Sequence, residues 1–218
     1  TPAYPKKIAD TLPIILVALL LTTLALSFWI SGIWQVSHTL IAITLSGYAL
    51  LTLRKLSQRK RPVADATVWF WRTGLAALLI AMAALLIDKL TSSAFPMKIF
   101  AIFYAVFALS IVLAMFYKIV PFLTWFHLNS EGYFTAPMMH EVIHPKTAMK
   151  HLYIHLAMVV IFVLSLLFAP LLYLAGILTI LSFVWMLWQI IHAWRLYRQT
   201  QKTGEKFEIN ANMQAGSR

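Results

Sequence analysis

The chain has 218 residues, of which 61% are hydrophobic and 11% charged; the formal net charge is +11 and there is no cysteine. So little charge excludes a soluble globular domain and marks an integral membrane protein. The missing thiols exclude disulfides, zinc–thiolate sites, iron–sulfur clusters and a cysteine nucleophile within the chain. The positive charge reads as basic loops on one side of a membrane rather than as a nucleic-acid surface, so no nucleic-acid partner is expected.

A membrane-spanning helix needs about 20 apolar residues. Six segments qualify, at roughly 12–33, 35–53, 67–87, 98–122, 152–172 and 173–195. The first apolar run, Leu12 to Trp34, is too long for the core of a signal peptide and lacks a small-residue cleavage site, so no cleavable leader is expected. The turn predicted at 33–36 is short enough to make spans one and two a helical hairpin. A basic loop, 54–66, follows with Arg54, Lys55, Arg59, Lys60 and Arg61. Span three carries "TGLAALLIAMAALL" (73–86), whose small residues predict close helix packing. Arg72, about one turn inside that span, is placed to snorkel to the head groups.

Span four ends in "YKIVPFLTWFHL" (117–128). From Ile99 to Lys118 is roughly 28 Å of helix at about 1.5 Å per residue, which puts Lys118 near the inner interface beside Tyr and Trp. A register centred on Lys118 would instead bury it as a functional charge. Pro121 is predicted to free the carbonyl of Tyr117 and to kink or break the helix. Beyond it, "FLTWFHL" is then expected to turn along the head-group plane. In the loop 129–150, His140 and His144 of "PMMHEVIHPK" read as solvated. Spans five and six form a second hairpin about a turn at 170–174, flanked by Pro170 and Gly176. The resulting organisation is a transmembrane helical domain over 1–197 and a polar, flexible tail over 198–218.

Six spans put both termini on one side, together with the loops 54–66 and 129–150. That side collects fourteen Lys and Arg residues and the other only Lys89 and Lys98. The asymmetry predicts cytoplasmic termini in the inner (plasma) membrane. Trp29 and Trp34 at the outer turn, and Trp69, Trp71, Trp125, Trp188 and Trp194 near the inner ends, match interfacial belts. The fold class is therefore an all-α polytopic bundle of about six transmembrane helices, whose first partner is the lipid bilayer.

The chemistry concentrates in histidines. His151 and His155 share a helix face at i, i+4. His155 and His192 fall at similar depth on the two arms of one hairpin, and His127 ends span four at the same level. Intramembrane imidazoles on different helices are ligands for haem iron or copper, so His127, His155 and His192 are the candidate cofactor set. His151 and His38 are weaker metal candidates. No carboxylate falls within the apolar spans, which argues against a proton pump built on a buried acid. There is no nucleotide-binding, serine-hydrolase or zinc-protease motif, and no enzymatic activity is assigned.

The stretch "MFYKIVPFLTWFHL" (115–128) followed by "APMMHEVI" (136–143) resembles a group of bacterial membrane proteins related to the haem–copper oxidase catalytic subunit, with nitric oxide reductase-like and NnrS-like proteins as neighbours. The likeness is specific over about 25 residues and carries over Tyr117, Lys118, Pro121 and His127 as motif positions. Members of that group have about twice as many spans, so the chain resembles their C-terminal half, and the His-x-His helix of the other half has no counterpart here. The resemblance implies a redox-associated protein with haem b as cofactor, beside another membrane subunit that supplies the missing half. Two other functions stay open: a non-catalytic subunit or assembly factor of a larger membrane complex, and a small-solute transporter or channel lined by span four.

Overall fold

The computed structural model describes residues 4–60, 64–91 and 93–206. Arg61 and Arg218 of the basic set, and positions 207–218 of the expected tail, lie outside the described residues. Within them the chain is all-helical, with seven α-helices and no strand. Six of the helices are long and apolar enough to cross a membrane, which makes this a multi-pass membrane protein.

Helix α1 (Lys6–Leu26) and α2 (Ile33–Ser57) form the first hairpin. Its turn falls at 27–32, earlier than hydropathy predicts. Gly32 explains the position: it holds φ at +85°, a left-handed conformation open to glycine at little cost, and the next helix starts immediately after it. Helix α3 (Ala66–Ile87) starts where Asp65 accepts a hydrogen bond from the Val68 amide at 2.9 Å, an N-cap. A 3₁₀ turn, Asp88–Leu90, leads toward α4 (Phe95–Ser130). A short helix α5 (Met139–Val142) follows, then the hairpin of α6 (Pro145–Leu164) and α7 (Leu171–Thr203).

Helix α4 corrects one expectation. It runs unbroken through Pro121 to Ser130, so "FLTWFHL" continues the same helix instead of turning along the interface. Proline removes one backbone hydrogen bond. The helix nevertheless continues, with Pro121 itself buried and Leu128, two turns on, fully enclosed, while Phe122, Leu123 and Phe126 between them are exposed. Lys118 lines a cleft with Asp65, Thr67 and Val68, and so stands level with the first turn of α3.

Helix α6 also differs, beginning at Pro145, seven residues before the predicted span. Proline suits the first helical position, and His144 caps the helix by accepting from the Lys146 amide at 3.2 Å. His155 therefore lies ten residues in, about 15 Å along the helix and near its middle rather than one turn from an end.

At 36 and 33 residues, α4 and α7 are about 50 Å long and outrun a hydrocarbon core of about 30 Å. Their overhanging ends tie together. α7 continues past Tyr197 to Thr203, and the Glu131 carboxylate accepts from Tyr197 Oη at 2.9 Å and Gln201 Nε2 at 3.2 Å. The Phe134 amide donates to the Glu205 carbonyl, and Lys206 lies over the Tyr133 ring at 4.5 Å. The hydrogen bonds from Tyr197 and Gln201, helped by the charges of Lys206 and His127, hold the Glu131 carboxyl below its ordinary range. A depressed pKa means that this tether is fully present above the free carboxyl value of about 4.5 and is lost as pH falls through the folded value. Amide exchange in 199–206 is expected to accelerate below about pH 4.5 in the wild type. In Glu131→Gln it is expected to be fast and nearly pH-independent once the intrinsic rate is divided out. A tether equally protected at both pH values would refute this account.

Helix α3 is the most enclosed of the spans. Its small residues let α4 approach so closely that a Cβ on Gly74 would stand 3.0 Å from Ser110 Cβ and 3.3 Å from the Phe107 carbonyl oxygen. Close backbone approach at small residues is how helices gain packing energy in lipid. Two cores result. One joins α2 to α3 through Ala42, Ala49, Leu75, Leu78 and Met82. The other joins α3, α4, α6 and α7 through Phe70, Leu113, Tyr117, Leu152 and Met186. Gly74→Val is expected to destabilise by about 1–3 kcal/mol, the usual cost of overpacking, and Gly74→Ala by less. Denaturation in mixed micelles measures it; a Val variant as stable as wild type would contradict the close approach.

Candidate functional site

The second core contains a polar network built from three helix stripes. On α6 the buried positions are Ala148, His151, Leu152, His155 and Met158. These spacings of three and four define one face, so both imidazoles point inward. On α4 the stripe includes Val106, Ser110, Leu113, Ala114 and Tyr117. On α7 it includes Ala175, Ser182, Met186 and Gln189. His151 and His155 are both fully buried.

His151 is held at both ring nitrogens. Tyr117 Oη lies 2.8 Å from Nδ1 and Ser182 Oγ lies 2.6 Å from Nε2. A hydroxyl both donates and accepts, so either neutral tautomer, and also the imidazolium, can be fully bonded here by rotating hydroxyl hydrogens alone. His155 is different. Ser110 Oγ donates to the Val106 carbonyl at 2.7 Å and stands 2.8 Å from His155 Nε2. With its own hydrogen spent on Val106, Ser110 accepts from Nε2–H. That assignment leaves His155 Nδ1 as a bare lone pair, and it is one of two buried side-chain polar atoms without a partner among the described residues; the other is Trp185 Nε1.

Phe70 of α3 closes the site. Its ring lies 5.1 Å from His155, 5.9 Å from His151 and 5.9 Å from Tyr117, centroid to centroid. Trp185 lies 6.0 Å from His151. The Phe70 ring thus covers the polar chain on its α3 side, and Phe70, Tyr117 and Trp185 all border His151.

The imidazoles expected as a set do not share this site. His155 is inside, but His127 and His192 are exposed. Helical phase explains it. His127 lies ten residues after Tyr117 and His192 ten after Ser182. At 3.6 residues per turn, ten residues leave each about 80° off its helix's inward stripe. His38 is also exposed, with its ring 6.1 Å from Trp34, and His151 has no free nitrogen. No three His, Asp or Glu side chains come together as a metal-binding group among the described residues. Among the described residues this site does not fit a haem: the one buried imidazole nitrogen without a partner, His155 Nδ1, belongs to a ring with no exposed surface and packed against Phe70.

Of the motif positions, Tyr117 joins the network, Pro121 is buried below it, and Lys118 turns outward. Sequence reasoning missed Phe70, Ser110 and Ser182. For Ser110 a signal exists: it falls seven residues before Tyr117, on the same helical face, in the middle of an apolar span. Ser182 carries the same signal, seven residues before Gln189 in the middle of an apolar span, and Phe70 carries none.

No protein-family model, curated protein or solved structure matches the chain.

Proposed function

We propose that the protein is a proton-handling subunit of the membrane, in which Tyr117, His151 and Ser182 pass a proton within the bundle. The observation that carries this reading is the double hydrogen bond of His151 to two hydroxyls, at 2.8 and 2.6 Å. Each hydroxyl can reverse its role, so gaining a proton on one nitrogen and losing one from the other needs no heavy atom to move. An ionisable side chain within a span is costly in lipid and marks a functional site by default. In this reading the oxidase-like resemblance makes the chain a subunit beside a redox partner, and haem b belongs to that partner, not to the interior of this chain.

Proteoliposomes with an internal pH dye and an imposed potassium diffusion potential test the idea. Wild-type protein is expected to carry protons at least about a hundredfold faster than His151→Phe, a loss of the size general acid–base groups supply. Tyr117→Phe should fall between, and His127→Ala should match wild type. Equal flux in wild type and His151→Phe would return the network to a packing role, as in a non-catalytic subunit or assembly factor.

A further inference from the structure

A second feature lies at the basic end of the bundle, apart from the imidazole network. A cleft of about 960 Å³ opens there between Tyr4 just before α1, the end of α2, the start of α3 and the second half of α4. Four cations line it: Lys55, Arg59, Lys60 and Lys118. Its single carboxylate, Asp65, is already engaged, capping α3 through Val68 and standing 4.0 Å from Arg59. Lys55, Lys60 and Lys118 have no carboxylate within ion-pair distance among the described residues. Like charges gathered without counter-charge repel one another, and an anion in the cleft relieves that repulsion.

The remaining walls are not those of a site for a small soluble anion. Tyr4, Tyr48 and Trp71 supply ring faces, and Leu56 and Met115 supply apolar surface. Tyr4 and Tyr48 stack at 6.5 Å, and Tyr4 Oη donates to Thr52 Oγ1, whose own hydrogen goes to the Tyr48 carbonyl. Tyr4 is therefore held beside Tyr48 and spends its phenol hydrogen internally. Met115 is exposed on the outer face of α4, with Ile119 exposed one turn further on, so the apolar side of the cleft opens toward acyl chains. The volume is also far larger than a lone phosphate needs.

We propose that this cleft binds the head group of an anionic phospholipid, with its phosphate among Lys55, Lys60 and Lys118 and its upper acyl segments along Met115 and the Tyr48–Trp71 wall. Basic pockets between membrane helices are suited to such head groups, and each cation near the surface strengthens the attraction about fivefold. This site does not rest on the proton-handling reading and stands or falls separately.

The test is lipid retention by the full-length protein in neutral detergent. Phosphatidylglycerol and phosphatidylcholine are titrated and counted by native mass spectrometry. Phosphatidylglycerol is expected to bind at least about tenfold more tightly, and Lys55→Gln/Lys118→Gln to weaken it about twenty-fold, while Lys98→Gln at the opposite end changes nothing. Should the double variant fail to fold, wild-type protein still decides. The preference for phosphatidylglycerol should shrink as salt rises, as screening requires. Equal binding of the two lipids, or a preference insensitive to salt or to the double substitution, would overturn the proposal. Protection against heat by glycerol phosphate or inorganic phosphate as strong as that by phosphatidylglycerol would overturn it in favour of a soluble anion.

Discussion

Phe70→Ala is expected to cost about 3–5 kcal/mol of stability, the range for deleting a fully buried aromatic ring. Phe70 has no exposed surface and touches the rings of Tyr117, His151 and His155. Its removal leaves a void between α3 and the hairpin of α6 and α7. Helices in lipid gain nothing from hydrophobic transfer when they associate, so packing of this kind carries the bundle. The void would also border two imidazoles, one with a bare nitrogen, and a polar cavity of that size admits water. Unfolding in mixed micelles measures the loss, and Phe70→Leu should recover about half of it. A loss below about 1 kcal/mol would mean that α3 and α6 collapse together and that the ring is not a spacer.

The second large effect belongs to His151. Replacing it with alanine removes the imidazole partner of both the Tyr117 and the Ser182 hydroxyls. An unmade hydrogen bond of a buried group costs about 1–3 kcal/mol, although interhelical bonds in membranes average nearer 0.6. With the lost ring volume added, about 3 kcal/mol is expected. His127→Ala and His192→Ala, both at exposed positions, should stay within about 0.5 kcal/mol. A double-mutant cycle of Tyr117→Phe and His151→Ala isolates the pair term. Comparable losses at all three histidines would sink the assignment of the inner site.

Both predictions turn on facing, and facing is where sequence and structure part. Membrane class, the presence of six spans and the gathering of Lys and Arg in particular loops are readable directly from "LPIILVALLLTTLAL" and "LRKLSQRKR", because length and polarity along the chain are enough for them. The small residues of α3 likewise announced close packing, and Gly74 against Ser110 is its form. Helix ends were displaced by capping chemistry that hydropathy ignores: Gly32 after α1, Pro145 at the head of α6, and the docking of α7 onto Glu131 beyond Tyr197.

Only the tertiary structure decided which histidines are inside. In a soluble helix the polar face identifies the outward side. A membrane helix is apolar all round, since lipid and protein interior are alike to a leucine, and that cue vanishes. His151, His155 and His192 therefore look equivalent in the sequence. Their difference lies in helical phase against Ser110, Tyr117, Ser182 and Phe70, and the contacts that His151 and His155 make with these residues span 31 to 85 positions of chain and form only when α3, α4, α6 and α7 pack.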